Sequence, residues 1–599
     1  MIAFAVLLFP GTYYAADSGD YTSYPPAEWR DSPNPFASED AETGGTLSVF
    51  AGQAPKSFNY YLDNNIFSAE LFRSMFESLL SMDPLTLEYV PGLARRWTIS
   101  ADKKTFTFEI DPAARWSDGT PVTAHDVAWT FRTILDPASM TGIHKVSLET
   151  FAPPEVLDDL TVRFKASDVH WRNLGAAGGF QIMPRHTYEG VDFNTLNTDF
   201  PVVSGPYRIS RVEEGIRVEL SRRDDYWALD RPASRNLGNF AVLSFRFYAE
   251  RENAFEAFRR GHIDIYPVYT ARLWANATRG ERFDKNWIVK QEVVNHQPQG
   301  FQGFAMNMRR APFDDPLVRR ALAHLLDRER MNRTLMFDQY VMQRSYFEDL
   351  YDANTPNPNE LIAFDKEAAR RLLRMAGWNT NPQTGMLEKD GRPLIVRFLT
   401  RDPSTDRFLA IFANDLLDVG IGLEIDRKDW AAWSRDMNNF HFDMTWAAWG
   451  ASVFKDPEGM WAAKEAEREG GNNITGFKCD EVDRLIEELR TIFNVTERHA
   501  ICRRIDELIV AQTPYILLWN SPSTRLLYWN RFGTPPTVLG KYGRENSANW
   551  LWWYDYFGAG ALTDAMTGGS YLPPRQAVID FDTVFTNPMI TPAAKQVIK

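Results

Sequence analysis

The chain has 599 residues, 44% of them hydrophobic and 24% charged, with a formal net charge of −13 at neutral pH. That length exceeds what one hydrophobic core serves, so two or three domains are expected. The acidic balance excludes a nucleic-acid surface, which needs clustered Lys and Arg, and leaves solubility or the steering of amine-bearing ligands as its physical meaning.

Along the chain, Ile2 to Phe9 form a short apolar run, followed by Pro10-Gly11 and the small pair Ala15-Ala16. This reads as a signal peptide over residues 1–16, shortened at its start because no Lys or Arg precedes Arg30. No cysteine stands directly after the run, so no lipoprotein anchor is expected, and no later stretch reaches the ~18 apolar residues of a membrane span. Residues 17–43 lack periodicity and read as an extended arm. Thr46 to Phe50 suit a first strand, and Phe67 to Leu80 carry apolar residues at the three-four spacing of an amphipathic helix. Thr105 to Ile110 alternate with period two, placing Phe106, Phe108 and Ile110 on one strand face. Ser117-Asp118-Gly119 is a turn, and Thr123 with Asp126 opens a helix as a cap with an acidic partner. Asp315 caps a further helix that starts at Pro316.

The only cysteines, Cys479 and Cys502, lie at offset heights of a predicted helical hairpin, so no disulfide is expected. The nine histidines are scattered, with no HExxH and no paired CxxC, so neither a metal nor a cofactor is expected. The run Gly471 to Lys478 fails as a phosphate loop because Phe477 stands where Lys is required, and no GxSxG elbow occurs. Aromatics at 14% suit either large cores or a ring-lined ligand cavity.

The stretch from Gly92 to Pro137, with Gly92-Leu93-Ala94, Trp97, Thr105 to Ile110, Trp116 to Val127 and Asp136-Pro137, resembles the peptide- and nickel-binding class (family 5) of extracellular solute-binding proteins. The likeness continues in order through Ser204-Gly205-Pro206-Tyr207, Arg223 to Trp227, Gly261 to Asp264, Phe304 to Leu322 and the helix pair ending at Thr513 to Ile516, and spans roughly residues 46 to 545. Phe304 to Phe347 and Trp550 to Phe557 resemble the YejA-type branch of microcin C and oligopeptide receptors.

The resemblance implies a two-lobed α/β fold of the periplasmic-binding-protein type (class II, large peptide-binding form) with an inserted third domain and a hinge. Mapped onto this chain, the first lobe comprises residues 44–73, 180–300 and 525–599, the inserted domain 74–179, and the second lobe 301–524. The implied function is capture of oligopeptides or peptide-like compounds between two closing lobes, for delivery to inner-membrane permease subunits of an ABC importer. The implied protein is a periplasmic monomer and not an enzyme. The alternatives are a receptor for muropeptides, oligosaccharides or metal chelates, and, more remotely, a periplasmic glycoside hydrolase, which needs only two carboxylates ~5–10 Å apart.

In peptide-binding members a second-lobe loop supplies a Trp and, three residues later, an Asp that pairs with the ligand's α-ammonium. The corresponding run here is Phe442 to Ser452: Trp449 matches the Trp, and Ser452 stands where the acid is expected. A buried ammonium without a carboxylate is costly, so either another acid replaces it, Asp456 being the nearest, or the ligand's amine is blocked or absent. As an Asp before Pro457, Asp456 equally suits a turn cap. Trp446 is a second candidate contact, although its spacing from Trp449 argues against both facing one cleft, and core packing is the competing role. Gln53, Ala54 and Pro55 follow the first strand and are the candidate first-lobe backbone contacts.

Overall fold

A computed structural model describes residues 15–16, 21–63, 65–196 and 198–586. The expected signal peptide lies outside these residues apart from Ala15–Ala16. Contacts divide the chain into two compact units. The first combines the described residues up to Val268 with Arg279–Asn295 and those from Thr524 onward; the second comprises Tyr269–Thr278 and His296–Ser523.

The first unit is built on two large sheets, with two two-stranded ones beside them. Its eight-stranded sheet has Thr46–Ala51 in the interior, paired in parallel with Val242–Phe247 on one side and with Ile265 on the other. The six-stranded sheet contains the Thr105–Ile110 strand, whose Phe106, Phe108 and Ile110 are fully buried as the alternation requires. Residues Tyr21–Tyr24 of the N-terminal arm join that sheet as a strand beside Ala94–Ser100. The helix that follows opens on a box in which the Asp126 carboxylate accepts from the Thr123 N–H at 2.8 Å and from its hydroxyl at 2.9 Å.

The helix expected over 67–80 runs only from Ile66 to Arg73. Beyond it the backbone pairs with the Ser204–Tyr207 turn: Gly205 N–H donates to Met75 O at 2.7 Å and Tyr207 N–H to Ser74 O at 3.1 Å. Met75, Phe76 and Leu79 stay buried, so the apolar spacing survives while tertiary pairing replaces the helical bonds. A Cβ on Gly205 would sit 2.8 Å from the Ser74 carbonyl oxygen, and only glycine permits that approach. Buried Arg223 locks the turn from below, donating to the carbonyls of Val203, Ser204 and Gly205.

The second unit is organised around a five-stranded sheet ordered Gly422–Arg427, Ile395–Thr400, Met444–Trp449, Phe301–Met306, Tyr515–Leu517. Its two faces bury separate cores. Phe304, Met306, Phe398, Met444 and Ile516 belong to one, and Phe301, Ala305, Leu399, Tyr515 and Leu517 to the other. The Pro316–His324 helix packs its apolar side into the first of these cores, with Asp315 accepting from the Leu317 N–H at 2.8 Å as its cap. The Asp480–Leu489 and Val495–Gln512 helices line the second. Cys479 and Cys502 are both free thiols. Residues 269–278, assigned to the first lobe from sequence, group with the second unit, where Ala271 enters the core and Tyr340 donates to the Tyr269 carbonyl at 2.8 Å. Among the described residues no helix is long and apolar enough to cross a membrane.

Candidate functional site

In an α/β sheet the carboxyl ends of the strands, and the loops that leave them, are where ligand-binding groups collect. In the second unit, Ile395–Thr400, Gly422–Arg427 and Met444–Trp449 run in parallel and end at one edge of the sheet. Trp449 closes the last of these strands, opposite Phe301. Gly300 makes that ending possible, since a Cβ there would fall 1.9 Å from the Trp449 carbonyl oxygen.

Trp449 and Trp446 are three residues apart on a strand and therefore face opposite sides. Trp446 meets Phe304, Phe408 and Trp519 edge-on in the first core, and its indole N–H donates to Gln302 Oε1 at 3.1 Å. Trp449 is half-buried on the other face, where its indole N–H donates to Tyr515 Oη at 3.1 Å. The Tyr515 ring is itself wedged edge-on against Phe301, Tyr346 and Trp461. Burial pushes the Tyr515 phenol well above its usual range, so it stays neutral and can receive that bond throughout the physiological pH range.

The loop after Trp449 turns inward. Ser452 is exposed, and its hydroxyl accepts from the Phe454 N–H at 3.3 Å. Lys455 is buried, donates to the Ser452 carbonyl at 2.9 Å and pairs with Asp349 Oδ2 at 2.5 Å. Burial raises the Asp349 carboxyl and the lysine opposes the rise. Asp456 accepts from the Glu458 N–H at 3.2 Å, capping the turn into the short Glu458–Trp461 helix. Its charge also reaches inward to Cys502, where burial first and Asp456 second push the thiol up to about 12.

Behind the loop lies a polar anchor that the sequence did not signal. Asp506, fully buried on the Val495–Gln512 helix, accepts from the Ser345 hydroxyl at 2.7 Å, the Tyr346 N–H at 2.8 Å, the Tyr351 hydroxyl at 2.9 Å and the Asn359 amide at 2.7 Å. Burial raises its carboxyl to about 6 against these four stabilising donors. The segment so pinned carries Asp349, so the helix holds the loop through the Lys455 pair.

A second aromatic group at this edge also lay outside the sequence reading. Trp430 and Trp433, one turn apart on the Trp430–Asn438 helix, stack with ring centroids 5.4 Å apart. The guanidinium of Arg401, just past Thr400, lies over both rings at 4.7 and 5.3 Å. Trp433 and Trp449 pack on the same core, so both sit on one face of the sheet. In the first unit, Gln53 lies in a bend beyond the end of the interior strand with Ala54 and Pro55 in the irregular chain after it, and the Gln53 carbonyl accepts from the Asn65 amide at 2.9 Å. Among the described residues no group of His, Cys, Asp and Glu could hold a metal ion.

The sequence profile of the bacterial extracellular solute-binding proteins, family 5 (middle region), matches residues 88–470. The chain belongs to this family. Among the relatives, the probable peptide-binding protein YejA of Agrobacterium fabrum is 27% identical over 552 residues, covering 85% of this chain and 89% of that protein. The peptidoglycan-binding protein YepA of the same organism is 27% identical over 564 residues, covering 85% and 90%. Among family-like solved structures, the oligopeptide-binding protein AppA of Bacillus subtilis in complex with a nonapeptide superposes with a TM-score of 0.65 at 21% identity, covering 86% of this chain and all of that one. The α/β fold expected from the family resemblance is thus the fold found.

Proposed function

We propose that this family 5 receptor binds oligopeptides or peptide-like compounds and hands them to the permease subunits of an ABC importer. Trp449 carries the reading. It stands at the strand end, in the run where the resemblance expects the ligand-contacting indole, and it is half-exposed with its indole N–H held by Tyr515. A rigid indole with one open face gives contact area at low entropic cost, which suits guests of varied sequence. Relatives named for peptide and peptidoglycan binding support the same ligand class. Binding without bond cleavage is the proposed mode. Asp456 is the weaker candidate for an amine anchor, since its carboxylate already caps a turn, and Gln53 to Pro55 remain the candidate backbone contacts of the first unit. Calorimetric titration with a mixed tripeptide to pentapeptide pool tests the reading: saturable binding at about one site per chain supports it, and heats no larger than dilution sink it.

A further inference from the structure

Most charged groups at the Trp449 edge already have partners. Three carboxylates follow the ends of the parallel strands, and each accepts a backbone N–H of the turn or helix it opens: Asp402 from Ser404 at 2.8 Å, Asp429 from Ala432 at 2.9 Å, Asp456 from Glu458 at 3.2 Å. The position where the family resemblance expects an acid holds Ser452, and Lys455 in the same loop is neutralised by Asp349. The neighbouring cations Arg427 and Lys428 pair with Asp406, and with Asp426 and Asp436, respectively.

Arg401 differs from these cations. It is exposed, and among the described residues it has no carboxylate partner. Its guanidinium carbon lies 4.7 Å from the Trp430 ring centroid and 5.3 Å from that of Trp433, and Trp430 is 61% exposed beside it. A guanidinium attracted to indole rings without a carboxylate partner keeps N–H donors available, and its planar fork matches the two oxygens of a carboxylate. The open indole beside it accepts the apolar part of whatever carries that carboxylate.

We infer that the group anchored at this edge is a ligand carboxylate, received by Arg401 over the Trp430–Trp433 stack, and that a free α-amine is not required. This rests on the peptide reading above and deepens it. The carboxylate is that of a chain terminus or of an acidic side chain.

The test is calorimetric titration of the full chain with four pools of tri- to pentapeptides bearing uncharged side chains: unmodified, N-acetylated, C-amidated, and C-amidated with one Glu added. N-acetylation is expected to change Kd by less than about threefold, and C-amidation to weaken it by about 10- to 100-fold, the worth of a charge-assisted hydrogen bond. Recovery with the Glu pool shows that a side-chain carboxylate can replace the terminal one, and its absence assigns the anchor to the terminus alone. Arg401→Gln should bind the unmodified and C-amidated pools equally weakly at an unchanged melting temperature, and Arg401→Lys should retain part of the discrimination. Binding that needs the free amine and tolerates C-amidation overturns the inference, as does full discrimination in Arg401→Gln. Silence from every pool instead sinks the peptide reading, and the inference with it.

Discussion

At the scale of single residues, the strongest commitments concern buried charges around the Trp449 loop. Removing one partner of the Lys455–Asp349 pair leaves the other charge buried and alone, so Lys455→Met should destabilise the second unit by about 3 kcal/mol. The double variant with Asp349→Leu should cost less than the sum of the two single changes, and urea melts of the four proteins give the coupling. Additive costs would mean that the pair does not hold the loop. Asp506 makes a pH-dependent prediction. Its folded carboxyl lies near 6 and an unfolded Asp near 3.8, so the folded state holds the proton more tightly. Its contribution to stability is complete below about pH 4 and is lost as pH rises toward 6 and above. The full loss is on the order of 2–3 kcal/mol, at about 1.4 kcal/mol per unit. Asp506→Asn should therefore gain by that amount relative to the parent between pH 4 and pH 7. A difference independent of pH would remove burial as the cause. For ligand binding, Trp449→Ala should weaken peptide affinity by about tenfold or more, as loss of a buried aromatic anchor does. Trp449→Phe should retain part of it, and titration of both variants beside the parent measures the split.

At the scale of elements, the sequence was legible wherever a local rule had no competitor. The Thr105–Ile110 alternation, the Thr123–Asp126 box and the Asp315–Pro316 helix start each depend on neighbours in the chain, and each is formed as the spacing requires. Asp315→Ala should cost about 1 kcal/mol in a urea melt, the usual worth of a side-chain cap; a cost near zero would mean that the buried face alone holds the helix. Legibility failed where distant chain segments intervene. The helix after Asn65 stops at Arg73 because Gly205 and Tyr207, far away in sequence, claim the carbonyls of Met75 and Ser74. The site shows the same division. The motif resemblance singled out Trp449 as a candidate, and strand periodicity separates it from Trp446. Asp506 and Arg401 act through partners that only the fold brings near, although the one-turn spacing of Trp430 and Trp433 behind the Asp429 cap was a readable sign of adjacent rings.

At the scale of the whole molecule, the chain leaves and re-enters its first unit, so each unit is assembled from non-contiguous stretches. Short motifs such as Ser204–Tyr207 serve that assembly, bonding to Ser74 and Met75 and held by Arg223. The chain belongs to a solute-binding family, and the proposed reading makes it a receptor that holds its ligand at Trp449 and Arg401 and releases it unaltered. The most direct test is mass spectrometry of the small molecules released on denaturing protein purified from a bacterial periplasm, followed by rebinding of the released fraction. The account predicts peptides or peptide-containing compounds at about one per chain, recovered unchanged in mass after rebinding. Release of solutes without amino acids, or a ligand shortened by incubation with the protein, would contradict it.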